Sequence, residues 1–186
     1  SSPATAASAT LNIDPETKTV RVQPGIYIEQ LNRRLKPSGL MFGPDPSTVR
    51  IATIGGAVGN NATGAHSILY GMAGDNVAAA KILHDGSLLE LHVLTEEELD
   101  ARAKDSGASG TLFRNLSMLR GKYRDAIERD FPKHWRRASG YSLNYFLESP
   151  FNPAKLLAAS EGTLGVATEY TLGLVPRPAN TGLVIL

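Results

Sequence analysis

The stretch "VAAAKILHDGSLLELHVL" at residues 77–94 sets two apolar runs on either side of Asp85-Gly86. Aspartate-glycine between apolar runs is the strongest short-range hairpin signal, because the favoured two-residue turn needs positive φ at both positions. A lone hairpin is marginal in water, so this one needs further strands or helices against it. "TLNIDPETKTVRVQPG" at 10–25 supplies a second pair, with Leu11, Ile13, Val20 and Val22 flanking the turn Asp14-Pro15-Glu16-Thr17. "VATEYTLGLVP" at 166–176 alternates Val166, Thr168, Tyr170, Leu172 and Leu174 before Pro176, a half-buried strand.

Helical patterns fill the intervals. Ile28, Leu31 and Leu35 make one stripe, closed by Pro37 and Gly39. Thr95 and Glu98 form a capping box, and Leu112, Leu116, Leu119 and Tyr123 continue a helical stripe. Asn152 and Pro153 open another helix. Strands in hairpins with helices between pairs predict an α+β fold: a mostly antiparallel mixed sheet flanked by helices, not a βαβ unit. The charged 95–140 segment reads as a helical insertion outside the main sheet, peripheral to any site.

The 186 residues are 42% hydrophobic and 20% charged, enough for one globular domain with a real core. A net charge of +1 gives no field for nucleic acid. With no cysteine, disulfides, thiolate metal sites and cysteine nucleophiles are excluded within the chain. No apolar run approaches the roughly 18 residues of a membrane span, and no signal peptide is visible. The start "SSPATAASAT" and the end "NTGLVIL" read as a fragment of a longer protein, with a processed mature chain as the alternative.

The segment "IATIGGAVGNNATG" at 51–64 crowds Gly55, Gly56, Gly59 and Gly64 beside Asn60, Asn61 and Thr63. Its spacing is neither G-x-G-x-x-G nor a P-loop. Two readings stand: a cradle of backbone N–H groups for a ligand, or a tight turn before a buried segment. His66, His84, His92 and His134 show no metal-ligand spacing, so no metal site is expected. His66 reads as a polar wall beside the glycines. "HWRRASGYSLNYF" at 134–146 offers arginines suited to carboxylate capture, or simply a solvated turn. "SEGTLGVATE" at 160–169 sets Glu161, Gly162 and Gly165 before a strand, or merely caps a helix.

Taken in order, "GPDPST", "ATIGGAVGNNATGAHSILYGMAGDNV", "HDGS" and "SEGTLGVATEYTLGLVPRP" resemble FAD-linked oxidases of the vanillyl-alcohol-oxidase (PCMH-type FAD-binding) fold. The likeness is to the D-lactate, glycolate and D-2-hydroxyglutarate dehydrogenase branch. "RRASGYSLNYFLESPFNPAKLLAASEGTLG" resembles its long bacterial members, in which the flavoprotein is fused to an iron–sulfur region. The resemblance implies FAD as cofactor and a small 2-hydroxyacid as substrate, with hydride passing to the flavin and the electron acceptor left open. It places Pro44, Asp45, Pro46 and Ser47 along the cofactor. Thr53, Ile54, Gly55, Gly56, Asn60, Asn61 and Gly64 form its cradle, continued by Tyr70 and Gly71. Glu161, Gly162, Gly165 and Val166 close the adenine side. Arg137, Ser139 and Tyr141 are candidates for the substrate side, and no residue is assigned as catalytic.

The implied layout is a tag or disordered lead at 1–9, the second lobe of the FAD-binding domain at 10–178, and the start of a substrate (cap) domain at 179–186. No "G-G-T-S" segment of a first lobe precedes Thr10. The implied location is cytoplasmic, with peripheral attachment at the inner membrane as the alternative. The rival readings are the FAD subunit of another flavoenzyme of this fold, and a non-catalytic folded fragment that binds no cofactor alone.

Overall fold

The computed structural model describes residues 11–180 and 182. The expected lead at 1–9 lies outside the described residues, as does most of 179–186. The main sheet has five strands in the order β1-β2-β6-β4-β5. These are β1 (Asn12–Asp14), β2 (Thr19–Val22), β4 (Val77–His84), β5 (Ser87–His92) and β6 (Val166–Gly173). Every pairing in it is antiparallel. A two-stranded ribbon joins β3 (Leu40–Met41) to β7 (Val175–Pro176).

Both hairpins form where the turn chemistry places them. Asp85 and Gly86 take φ 47° and 72°, as the turn requires. Asp14 Oδ1 accepts the N–H groups of Glu16 and Thr17, closing the β1–β2 turn. Strand β6 runs between the hairpins, pairing Tyr170 with Val22 on one side and with Ala80 on the other. The alternation read in β6 holds only in its second half: Tyr170 and Leu172 are buried, whereas Val166 and Thr168 are exposed.

Helix α1 (Ile28–Leu35) buries Ile28, Leu31 and Leu35 completely in the main core. Each such side chain contributes roughly 1.5–3 kcal/mol. Gly39 ends the following 3-10 turn at φ 69°. Helix α4 (Glu96–Ala103) starts at Thr95 with both capping-box bonds to Glu98 in place. Asn152 caps a 3-10 turn at Pro153–Leu157 rather than an α-helix.

Helix α5 (Gly107–Asp130) packs on α4 and on the 3-10 turn at 143–147, outside the main sheet, and still contributes to the core. Leu99, Phe113 and Ile127 of the 95–140 segment belong to the main core. The buried line runs through Phe113, Arg120 and Ile127, while Leu112, Leu116 and Leu119 are partly buried and Tyr123 is exposed. Arg120 holds that line because its polar atoms are satisfied. Nε donates to Phe146 O at 2.8 Å, Nη2 to Glu148 O at 2.8 Å, and Nη1 to Glu96 Oε2 at 2.6 Å. No helix among the described residues is long and apolar enough to cross a membrane.

Candidate cofactor-binding site

The glycine segment forms a helix, α2 (Ile54–Gly59), which neither sequence reading anticipated. Glycine disfavours helix by about 1 kcal/mol relative to alanine, so tertiary contacts must hold it. Thr53 is the N-cap, its Oγ1 accepting Gly56 N–H at 3.1 Å. Ile54, Ala57 and Val58 bury one face. Ile54 N–H donates to Ile26 O and Gly55 N–H to Pro24 O, both at 2.8 Å, anchoring the first turn.

The glycines of this segment divide by what faces them. A Cβ on Gly55 would stand 2.8 Å from Pro24 Cβ, and one on Gly64 only 2.1 Å from Asp45 O. The chain itself therefore requires glycine at both. A Cβ on Gly56 would meet only Thr53 Oγ1, at 3.2 Å, and one on Gly59 has ordinary contact with Glu161. Gly56 and Asn60 lie one helical turn apart, exposed, on a hollow of about 330 Å³ shared with Ile51 and Thr53. Gly55 and Gly59 line a second hollow of about 190 Å³, opposite Gly162, Gly165 and Val166.

The loop at 159–165 is brought to α2 by two bonds, Ala159 N–H to Val58 O at 3.2 Å and Glu161 N–H to Gly59 O at 3.0 Å. Ala159 and Glu161 take φ 59° and 50°, and Gly162 takes 80°. Positive φ at two non-glycine residues costs of order 1–3 kcal/mol each, strain that concentrates at functional loops. Glu161 and Gly162 are exposed, and Val166 leaves 64% of its surface open.

The proline stretch lies on the other side of the segment. Pro44 and Pro46 are buried and Ser47 is exposed. Asp45 binds His66 twice, at the backbone N–H (3.1 Å) and at Nδ1 (2.5 Å). Asp45, His66 and Tyr70 line an open cleft of about 680 Å³ that also reaches Arg177. Gly71, at φ 75°, caps the short helix α3 (Ser67–Tyr70).

Asn61 turns inward. It is 3% exposed, its Oδ1 accepts Gly74 N–H at 2.9 Å, and its Nδ2 donates to Arg137 O at 3.1 Å. Arg137 is held locally, with Nη1 on His134 O and its guanidinium over the Phe131 ring. Ser139 is exposed, and Tyr141 Oη lies 2.9 Å from Thr163 Oγ1. The 134–141 loop thus touches the glycine segment through Asn61 and the 159–165 loop through Thr163.

The sequence reading left Thr63 unassigned. Its Oγ1 is buried without a hydrogen-bond partner. The lining of the hollow fits a flavin nucleotide: a glycine face at Gly56 for close approach, with the Thr53 and Asn60 side chains beside it for polar contacts.

A family profile described as "FAD binding domain" matches residues 5–92. D-2-hydroxyglutarate dehydrogenase of Escherichia coli strain K12 is 33% identical over 178 residues, covering 94% of this chain and 18% of that protein. Glycolate oxidase subunit GlcD of Bacillus subtilis strain 168 is 28% identical, covering 90% of this chain and 26% of that protein. The solved structure of an alkyldihydroxyacetonephosphate synthase superposes with a TM-score of 0.54 at 20% identity, covering 90% of this chain and 21% of that one. The chain thus spans about a fifth of the length of the D-2-hydroxyglutarate dehydrogenase it matches. Family profile and relatives agree: residues 5–92 match an FAD binding domain, and the chain is similar over most of its length to part of the D-2-hydroxyglutarate dehydrogenases and glycolate oxidase subunits.

Proposed function

We propose that this chain is the second lobe of a flavin domain, and that the full-length protein oxidises a D-2-hydroxyacid. Bound FAD would supply the acceptor for the hydride of the substrate's α-carbon. The observation that carries the site is the open face of α2, where Gly56 admits close approach and shares a hollow with Thr53 and Asn60.

In this reading Thr53, Gly56 and Asn60 line the cofactor from one side of α2. Gly55, Gly162, Gly165 and Val166 line it from the other. Asp45, Ser47, Tyr70 and Gly71 continue the surface towards the large cleft. Ile54, Gly64, Pro44 and Pro46 shape the backbone from within, and Asn61 fixes the exit of α2. Glu161 stands at the edge of the strained loop. Arg137, Ser139 and Tyr141 are assigned to the substrate side, on the loop that touches both halves of the site. The chain's own residues bind, orient and exclude water; none is assigned a proton-transfer step. Relatives named D-2-hydroxyglutarate dehydrogenase, at 31–35% identity, make a 2-hydroxy dicarboxylate the first substrate to test.

The test is to purify the full-length protein, release its flavin by heat and identify it, then assay D-2-hydroxyglutarate, D-lactate and glycolate with an artificial acceptor. Stoichiometric FAD and preferential oxidation of D-2-hydroxyglutarate are expected. A protein that neither carries nor takes up FAD would overturn the assignment.

A further inference from the structure

A polar bracket ties the 3-10 turn Leu143–Leu147 to the turn after Tyr70-Gly71. At its centre is Tyr145, 2% exposed, in the 3-10 turn Leu143–Leu147. Its hydroxyl donates to Asp75 Oδ1 at 2.9 Å. The second carboxylate oxygen, Oδ2, accepts Met72 N–H at 2.8 Å. One carboxylate therefore ties the turn after Tyr70-Gly71 to a buried phenol.

Two glycines show how closely this turn is pressed. A Cβ on Gly71 would stand 2.9 Å from Asp75 Oδ2, and one on Gly74 would stand 2.8 Å from Tyr145 Oη and 2.5 Å from Ala158 Cβ. Gly74 N–H is the group that Asn61 accepts, and Asn61 leaves α2 in the left-handed region at φ 46°. The exit of α2 and the Tyr70-Gly71 turn thus rest on the same few atoms. Tyr145 is supported in turn. Lys155 Nζ sits 5.1 Å from its ring centroid and pairs with Glu148 at 2.8 Å, and Arg120 holds the carbonyls of Phe146 and Glu148. None of these supports falls within the matched residues 5–92.

We propose that Tyr145 is a positioning residue for the cofactor segment, setting the place of Gly71 and of the α2 exit through its bond to Asp75. The inference rests on the cofactor reading above. Tyr145 lies behind the turn and acts only through Asp75 and Gly74. Burial, reinforced by the Asp75 charge, raises the phenol's pKa well above its ordinary value, so the group stays a donor across the working pH range. Phenylalanine fills the same space, and the exposed Asp75 is free to hydrate once the hydroxyl is gone. Losing the tether is thereby separable from losing the fold.

The test uses the full-length protein, stripped of flavin and titrated with FAD. Tyr145→Phe should leave the far-ultraviolet circular dichroism unchanged and weaken FAD about tenfold, equivalent to about 1.4 kcal/mol. It should also alter the visible circular dichroism of the bound flavin, which a purely structural role leaves alone. Asp75→Asn should act in the same direction, and the double variant should lose less than the sum, because both changes cut one link. FAD affinity within twofold of wild type and an unchanged flavin spectrum in Tyr145→Phe would overturn the proposal, as would strictly additive losses. If Tyr145→Phe fails to fold, Asp75→Asn carries the same comparison with the ring in place. If the wild-type protein binds no FAD, the cofactor reading fails instead. Amide exchange at residues 71–76 then decides the tether: faster exchange in Tyr145→Phe supports it, and equal exchange overturns it.

Discussion

Helices α2 and α5 are built on opposite terms. Helix α5 is 24 residues long and closes its own contacts, with Phe113 and Ile127 in the core and three donor nitrogens of Arg120 satisfied within the chain. Helix α2 is six residues long, three of them glycine, and leaves one face bare. The adjoining loop holds two non-glycine residues at positive φ. A segment that satisfies itself is scaffold. The bare glycine face beside a strained loop is the feature on which the proposed cofactor site rests.

The sharpest way to break this contrast is to remove the scaffold. Deleting 100–130 with a short linker takes Phe113 and Ile127 out of the core and leaves the carbonyls of Phe146 and Glu148 without Arg120. Loss of cooperative thermal unfolding is expected, and a native-like transition would show that the core closes without this segment. Gly64→Ala comes next, since its Cβ would stand 2.1 Å from Asp45 O. A destabilisation of about 3 kcal/mol in urea unfolding is expected from overpacking against backbone. Arg120→Met keeps much of the packing but strips one buried and one half-buried carbonyl of their donor, for an expected loss of about 2 kcal/mol by the same measurement. Thr53→Ala removes only the α2 cap and should lower stability by about 1 kcal/mol.

The strands and most helices were legible because their signals are local. Asp85-Gly86 and Asp14-Pro15 dictate turns whatever surrounds them, and Thr95 with Glu98 is complete within four residues. Helix α2 was not legible, because glycine argues against helix and the contacts that hold it, to Pro24, Ile26, Ala159 and Glu161, come from distant parts of the chain. Arg120 escaped notice because a charge interrupts an apolar stripe, and its partners lie 24 to 28 residues away. The residues proposed to line the site come from the order of their motifs. The inward role of Asn61 was not, since its partners sit 13 and 76 positions along the chain.

The central claim is that the bare face of α2 is kept for FAD, and Gly56→Val in the full-length protein tests it most directly. The substitution meets only the Thr53 hydroxyl and faces open space, so the apoprotein should unfold within a few degrees of wild type. A branched side chain on the approach surface should nonetheless reduce FAD binding, followed by quenching of flavin fluorescence, to a small fraction of the wild-type level. Full flavin occupancy in that variant would contradict the account.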